Sequence, residues 1–251
     1  MLDRKKVVVT GASSGIGWAT AERFAREGWD VCVTARRESE LQTLVKGFPP
    51  GEHLVCPGDY SNPATSEKIK ENIAQKWGRL DALANVAGVY MGADVVDSPL
   101  DEWRKCFDIM VNGAVYMTRM AVPFMKDGGR IIHVTSIHGE RAERGSSSYA
   151  MAKAAINQYC RGLALELADR NILVNAIAPG FISTPMSVVN GVNELESEWF
   201  KINYVEGHHL PLRRAGRPEE IAGVVYFLAG PDATYLTGQV ITVDGGLLIT
   251  F

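Results

Sequence analysis

Three residues able to share a proton transfer lie close together in the chain. Ser136 ends the apolar run Arg130-Ile-Ile-His-Val-Thr135, and thirteen residues on stands Tyr149, with Lys153 four places further. That i, i+4 spacing puts phenol and ammonium on one face of a helix. Hydride exchange between a nicotinamide and a carbonyl leaves charge on the substrate oxygen, which gains a proton in reduction or loses one in oxidation. A phenol with a pKa near 10 is a poor base at neutral pH. The adjacent ammonium predicts a lowered pKa for Tyr149, while the Ser136 hydroxyl steadies the same oxygen in the transition state. Lys153 is also positioned to bond a nicotinamide ribose. Asn112, in Met110-Val-Asn-Gly113, is the candidate for holding a water that passes protons to Lys153; a kink or a satisfied core amide is the plainer reading of an Asn inside a helix. With eight tyrosines in the chain, a Tyr–Lys pair alone carries little weight.

A second constellation gives it meaning. The first apolar run leads straight into Thr10-Gly-Ala-Ser-Ser-Gly-Ile-Gly17, a turn with glycines in the order Gly-x-x-x-Gly-x-Gly. Glycine reaches backbone angles closed to other residues, and without a side chain it lets a pyrophosphate approach the amides at a helix start. Any tight strand-to-helix turn can use glycine, but this one is the first such junction, where dinucleotide-binding folds hold phosphate. Gly11, Ser13, Ser14, Gly15, Ile16 and Gly17 are therefore the predicted phosphate cradle. About 20 residues beyond such a turn an NAD site presents a carboxylate to the ribose 2′-hydroxyl. This chain has Thr34-Ala35-Arg36-Arg37 there. A guanidinium pairs with a 2′-phosphate and no acid repels it, so NADP(H) is preferred, with NAD(H) still usable. Arg36 is favoured over Arg37 as the phosphate partner; solvated loop arginines are the alternative.

These groups need a scaffold, and the pattern supplies one. Short β-branched runs at 6–10, 30–35, 53–57, 82–86, 130–135, 173–178 and 240–243 alternate with helical stretches at 15–27, 38–45, 63–77, 99–125, 148–169 and 218–228. That alternation predicts an α/β doubly wound domain with a seven-stranded parallel sheet, spanning the whole chain. The stretch 181–216 interrupts it with prolines, glycines and the aromatics Trp199, Phe200 and Tyr204. Following a strand end, it reads as a substrate lid, with a surface excursion or subunit contact as the alternative. The 251 residues are 46% hydrophobic and 22% charged, with a net charge of −3, which argues against nucleic acid or an anionic membrane as ligand. No apolar run is long enough to span a membrane, and the start Met1-Leu-Asp-Arg-Lys-Lys6 does not read as a signal peptide, so a cytoplasmic location is expected. Cys32, Cys56, Cys106 and Cys160 are scattered singly, as packed thiols rather than disulfides or zinc ligands; no metal site is expected.

Taken together, the glycine turn, Gly58-Asp59, Asn85-Val-Ala-Gly88, Asn112, Ser136, Tyr149-Ala-Met-Ala-Lys153, Pro179-Gly180 with Thr184, and Val243-Asp-Gly-Gly246 resemble the classical short-chain dehydrogenase/reductase family over nearly the whole chain. The resemblance implies a Rossmann-type fold, a Ser136/Tyr149/Lys153 triad with Asn112 as proton-relay partner, and a homotetramer. It further implies Asp59 and its neighbour Tyr60 near the adenine, Asn85, Ala87 and Gly88 beside the cofactor ribose, and Pro179, Gly180, Ile182 and Thr184 around the nicotinamide. One departure stands out: Val86 replaces an amide that in the family braces the central strand.

His138, two residues past Ser136, is the candidate substrate contact, as in relatives that oxidise sugars or 3-hydroxy acids; a solvated loop histidine or a subunit contact is the alternative. His208 and His209 lack the spacing of helical metal ligands. The reading is an NADP(H)-linked oxidoreductase that interconverts a secondary alcohol and a ketone on a small polar substrate such as a sugar, polyol or hydroxy acid. A 3-oxoacyl-thioester reductase is the second reading within that class, and a nonenzymatic NADP(H)-binding regulator the reading outside it.

Overall fold

The protein is described here by a computed structural model of residues 4–92, 94–189 and 191–250. Residues 1–3, which open the chain, and Asn190, inside the expected lid, lie outside the described residues.

Two apolar strands, β1 (Lys6–Thr10) and β2 (Asp30–Thr34), are buried at every position, as β-branched runs covered on both faces must be. With β3 (Leu54–Val55), β4 (Leu80–Asn85), β5 (Met125–Val134), β6 (Leu173–Pro179) and β9 (Val240–Val243) they form one seven-stranded sheet in the order β3-β2-β1-β4-β5-β6-β9. Every pairing is parallel, with Val8 of β1 set against Cys32 on one side and Leu83 on the other. The order of addition reverses between β1 and β4. Their carboxyl ends part there and open the crevice in which such sheets bind ligands.

Helices α1 (Gly15–Arg26), α2 (Glu38–Lys46), α3 (Pro63–Lys76), α4 (Leu100–Phe107), α5 (Gly113–Ala121), α6 (Ser147–Glu166) and α8 (Pro218–Ala229) follow the strands. Their starts have local causes. Asn62 accepts the Ala64 amide at 2.9 Å ahead of Pro63, and the Glu220 carboxylate accepts the Arg217 amide at 2.7 Å ahead of Pro218. Val7 and Val9 pack with Phe24 and Val225 on one side of the sheet, while Val8 packs with Ile69, Met117 and Leu163 on the other. All four cysteines are free and buried.

Two expectations change. The helix expected over 99–125 is four segments, because between α4 and α5 the ladder widens into a π turn at Asp108–Asn112, and after α5 it tightens into a 3-10 turn at Val122–Phe124 around Pro123. The segment 181–216 has structure of its own: β7 (Val188–Val189) and β8 (Val192–Asn193) pair as a small hairpin, and a short helix α7 (Glu198–Phe200) runs into a second π turn at Lys201–Glu206.

Where the central strand has Val86 in place of an amide, another residue supplies the brace. Thr10, fully buried at the end of β1, accepts the backbone N–H groups of Val86 at 2.9 Å and Ala87 at 3.0 Å through its hydroxyl. This ties the glycine turn to the loop after β4. Replacing Thr10 by the isosteric Val strands two amides and should cost about 1–3 kcal/mol, whereas Ser keeps the oxygen. Urea midpoints of Thr10→Val and Thr10→Ser that coincide with each other would rule out this brace.

Candidate active site

The glycine turn folds as its composition requires. Gly11 (φ 69°) and Gly15 (φ 55°) occupy the left-handed region, and a Cβ at Gly17 would stand 2.2 Å from the carbonyl oxygen of Gly11. Ser14, the cap of α1, makes no side-chain hydrogen bond to the helix, and the first turn carries no acid. The leading amides of α1 thus have no side-chain acceptor from Ser14, the arrangement in which a helix start binds an anion, and the glycine turn lines a cleft of about 410 Å³. Gly11, Ser13, Ser14, Gly15, Ile16 and Gly17 line it, joined by Arg36, Arg37, Asp59 and Tyr60 on one side and Ala87, Gly88 and Thr184 on the other.

The two arginines differ. Arg37 donates to the carbonyl and the hydroxyl of Ser13, both at 3.1 Å, and so braces the turn. Arg36 is exposed in the same cleft and makes no hydrogen bond to another described residue, which leaves its guanidinium for a ligand phosphate. Asp59 accepts from the amide and hydroxyl of Ser61 at 2.9 and 2.6 Å, bonds that hold its carboxyl below the usual range. Tyr60 lies against Gly113, where a Cβ would overlap its ring, and its buried phenol is pushed far up.

A second cavity, about 750 Å³, adjoins the first and shares Ile16, Gly88 and Thr184 with it. Ser136, Tyr149, Lys153 and His138 line it together with Pro179, Gly180 and Ile182. Val189, Val192, Trp199 and Phe200 from the segment 181–216 form the opposite wall. Ser136 reaches the cavity because β5 ends there in extended backbone, and its hydroxyl accepts the His138 amide at 3.2 Å to start a 3-10 turn. Tyr149 and Lys153 come from the first turns of α6, both nearly buried, at 7% and 4% exposure. The Tyr149 ring is held edge-on between Tyr90, 5.3 Å away, and His138, 5.6 Å away. Lys153 donates to the Val134 carbonyl at 3.0 Å and stands 5.5 Å from the Tyr149 ring centroid.

Burial governs both titrations. It raises the Tyr149 phenol to about 12, against a downward pull from the Ser136 hydroxyl, and lowers the Lys153 ammonium to about 8. The lowered phenol pKa expected from the Tyr–Lys spacing is therefore corrected: both groups lie in a desolvated pocket, and the ammonium spends a hydrogen bond on a backbone carbonyl.

Two residues expected at the site stand outside both cavities. Asn85 is buried in β4 with its amide nitrogen 3.3 Å from His133 Nδ1, and it lines neither cavity. Asn112 ends the π turn, with its amide 3.5 Å from the Asp108 carboxylate, and does not line the cavity.

One participant escaped sequence reasoning. His138 Nε2 donates to Glu143 Oε2 at 3.0 Å, while its Nδ1 lies 3.2 Å from the Ser136 hydroxyl. The bond from His138 is the main reason the Glu143 carboxyl sits below its ordinary range. Nothing in the run Glu140-Arg-Ala-Glu-Arg144 marks Glu143; only the path of the loop brings it back onto the imidazole. Among the described residues no group of three or more His, Cys, Asp or Glu is arranged to hold a metal ion, and no helix is long and apolar enough to cross a membrane.

Comparison with known proteins finds similar oxidoreductases over nearly the whole chain. Residues 11–248 match the family described as enoyl-(acyl carrier protein) reductase. The chain is 37% identical to a 3-oxoacyl-(acyl-carrier-protein) reductase of Thermotoga maritima over 99% of both chains. It is 36% identical to a glucose 1-dehydrogenase of Gluconobacter oxydans, over 98% of this chain and 92% of that one. Among solved structures, the L-sorbose reductase of Gluconobacter frateurii complexed with NADPH and L-sorbose superposes with a TM-score of 0.89 at 32% identity, covering 99% of this chain and 98% of that one.

Proposed function

The chain belongs to the classical short-chain dehydrogenase/reductase family, oxidoreductases that act on CH–OH groups, and from that premise we propose that it is an NADP(H)-preferring enzyme interconverting a secondary alcohol and a ketone on a small polar substrate, a sugar, polyol or hydroxy acid. The observation that carries the reading is the meeting of two cavities at Ile16, Gly88 and Thr184, one built from the glycine turn and the other holding Ser136, Tyr149 and Lys153.

A bound nicotinamide supplies the hydride in reduction and takes it up in oxidation. The turn amides and α1 hold the pyrophosphate, and Arg36 pairs with the 2′-phosphate. Pro179, Gly180, Ile182 and Thr184, which line the second cavity, would surround the nicotinamide, as the family resemblance implies. Tyr149 gives its phenolic proton to the substrate oxygen in reduction and takes it back in oxidation, while Ser136 hydrogen-bonds the same oxygen. Lys153 stabilises the phenolate as it forms; Asn112, outside the cavity beside Asp108, is its proton-relay partner as the family resemblance implies. His138 contacts the substrate beside Ser136. The segment 181–216 acts as a lid over a single domain working in the cytoplasm, and assembly as a homotetramer is what the family resemblance implies.

The test is turnover with both cofactors across sugars, polyols, 3-hydroxy acids and acyl thioesters. Turnover of at least one of the first three classes, faster with NADP(H), is the expected outcome; activity confined to thioesters favours the carrier-linked reading that the Thermotoga maritima relative suggests. Arg36→Ala should raise KM for NADPH by about 10–100-fold and leave that for NADH nearly unchanged, since a charge-assisted pair to phosphate is lost. Equal use of NADH by the unmodified protein would defeat the cofactor preference.

A further inference from the structure

The substrate-facing hydroxyl of Ser136 is the first member of a three-residue chain that ends at the cavity mouth. Ser136 Oγ meets His138 Nδ1 at 3.2 Å, and His138 Nε2 meets Glu143 Oε2 at 3.0 Å. Because a carboxylate only accepts, it fixes the proton of a neutral imidazole on Nε2 and turns Nδ1 toward Ser136 as an acceptor. Glu143 lies in the loop before α6 with its side chain 48% exposed, against 20% for His138. The same cavity is lined by Glu194, and among the described residues its one Lys or Arg side chain is Lys153, buried and bonded to the Val134 carbonyl. Arg141 and Arg144, exposed on the Glu143 loop, are not part of the lining. A carboxylate ligand would therefore pass acidic groups at the entrance and find no guanidinium to pair with, whereas a neutral hydroxyl can donate to Glu143.

We infer that Glu143 is a specificity-determining residue that selects substrates by charge, admitting neutral hydroxylated ketones and alcohols and turning away hydroxy acids and acidic carrier-linked thioesters. The inference rests on the reading of this cavity as the substrate site, and it narrows the substrate class to sugars, polyols and other uncharged compounds.

The test compares a matched pair of ketones, 3-oxobutanoate and its ethyl ester, as kcat/KM with saturating NADPH. The ester should be preferred, and Glu143→Gln should raise the anion-to-ester ratio by about fivefold, the size of a partly solvated like-charge contact. Glu143→Asp should keep the original ratio, Glu140→Gln on the same loop should not move it, and high salt should narrow it. A ratio unmoved in Glu143→Gln, or an unmodified protein that uses anion and ester equally, overturns the inference. If neither ketone is reduced, the hydride-transfer reading is decided by the wider substrate panel, and calorimetric binding of the same pair to the NADPH-saturated protein decides the charge selection. Tighter ester binding that Glu143→Gln relaxes then supports it; equal binding, or none, overturns it.

Discussion

Tyr149→Phe is expected to lower kcat for ketone reduction by about 10²–10⁴, the range for loss of a positioned general acid, with a much smaller change in the dissociation constant for NADPH. The substitution removes one oxygen and little else. The ring is clasped between Tyr90 and His138 and keeps its packing as Phe. Because burial raises the phenol to about 12, it carries its proton throughout the neutral range and is poised as an acid. Reduction should thus hold its rate as pH rises through neutrality, while alcohol oxidation, which needs the phenolate, should climb with pH. Stopped-flow reduction and oxidation traces over that range check both limbs. A variant retaining full kcat would remove Tyr149 from the mechanism.

Lys153→Met should do two opposite things: abolish most turnover and stabilise the fold at neutral pH. The ammonium is buried with a pKa lowered to about 8, against about 10.4 in an unfolded chain. At neutral pH the charge is present in both states, and the folded state bears the desolvation cost. Between about pH 8 and pH 10.4 the unfolded chain binds more protons, so stability of the unmodified protein rises with pH across that window. The full difference is up to about 3 kcal/mol, offset by about 1 kcal/mol for the Val134 carbonyl left without its donor. Lys153→Met should melt a few degrees higher at neutral pH, with the advantage shrinking toward pH 10. Melting curves that keep the same separation at both ends of the window would show that Lys153 is not the titrating group.

The two outcomes bear on the same feature, the desolvation of a site that spacing alone describes as two charges on a helix face. At that level Ser136, Tyr149 and Lys153 were legible because strand end and helix turn are short-range patterns. The glycine turn was legible for the same reason. The sequence favours Arg36 over Arg37, but what Arg37 does is not legible in it: both line the cleft, and only the fold sets Arg37 against Ser13. Asn85 shows the converse: its position at the end of β4 matched the motif, yet its side chain turned to His133, because alternate residues of a strand face opposite sides of the sheet.

What the amino-acid order determined by itself was whatever depends on periodicity and near neighbours: the seven strands of the sheet, the helices between them, the phosphate turn and the phenol–ammonium pair. What only the tertiary structure decided was everything that loops or burial control. Thr10 bracing the loop after β4, Glu143 returning to His138, and the displaced pKa values of Tyr149 and Lys153 depend on contacts between segments or on exclusion of water. Hydrogen-bond partners and desolvation are set by three-dimensional neighbours, and a linear pattern carries no distance between residues that the chain must fold to bring together.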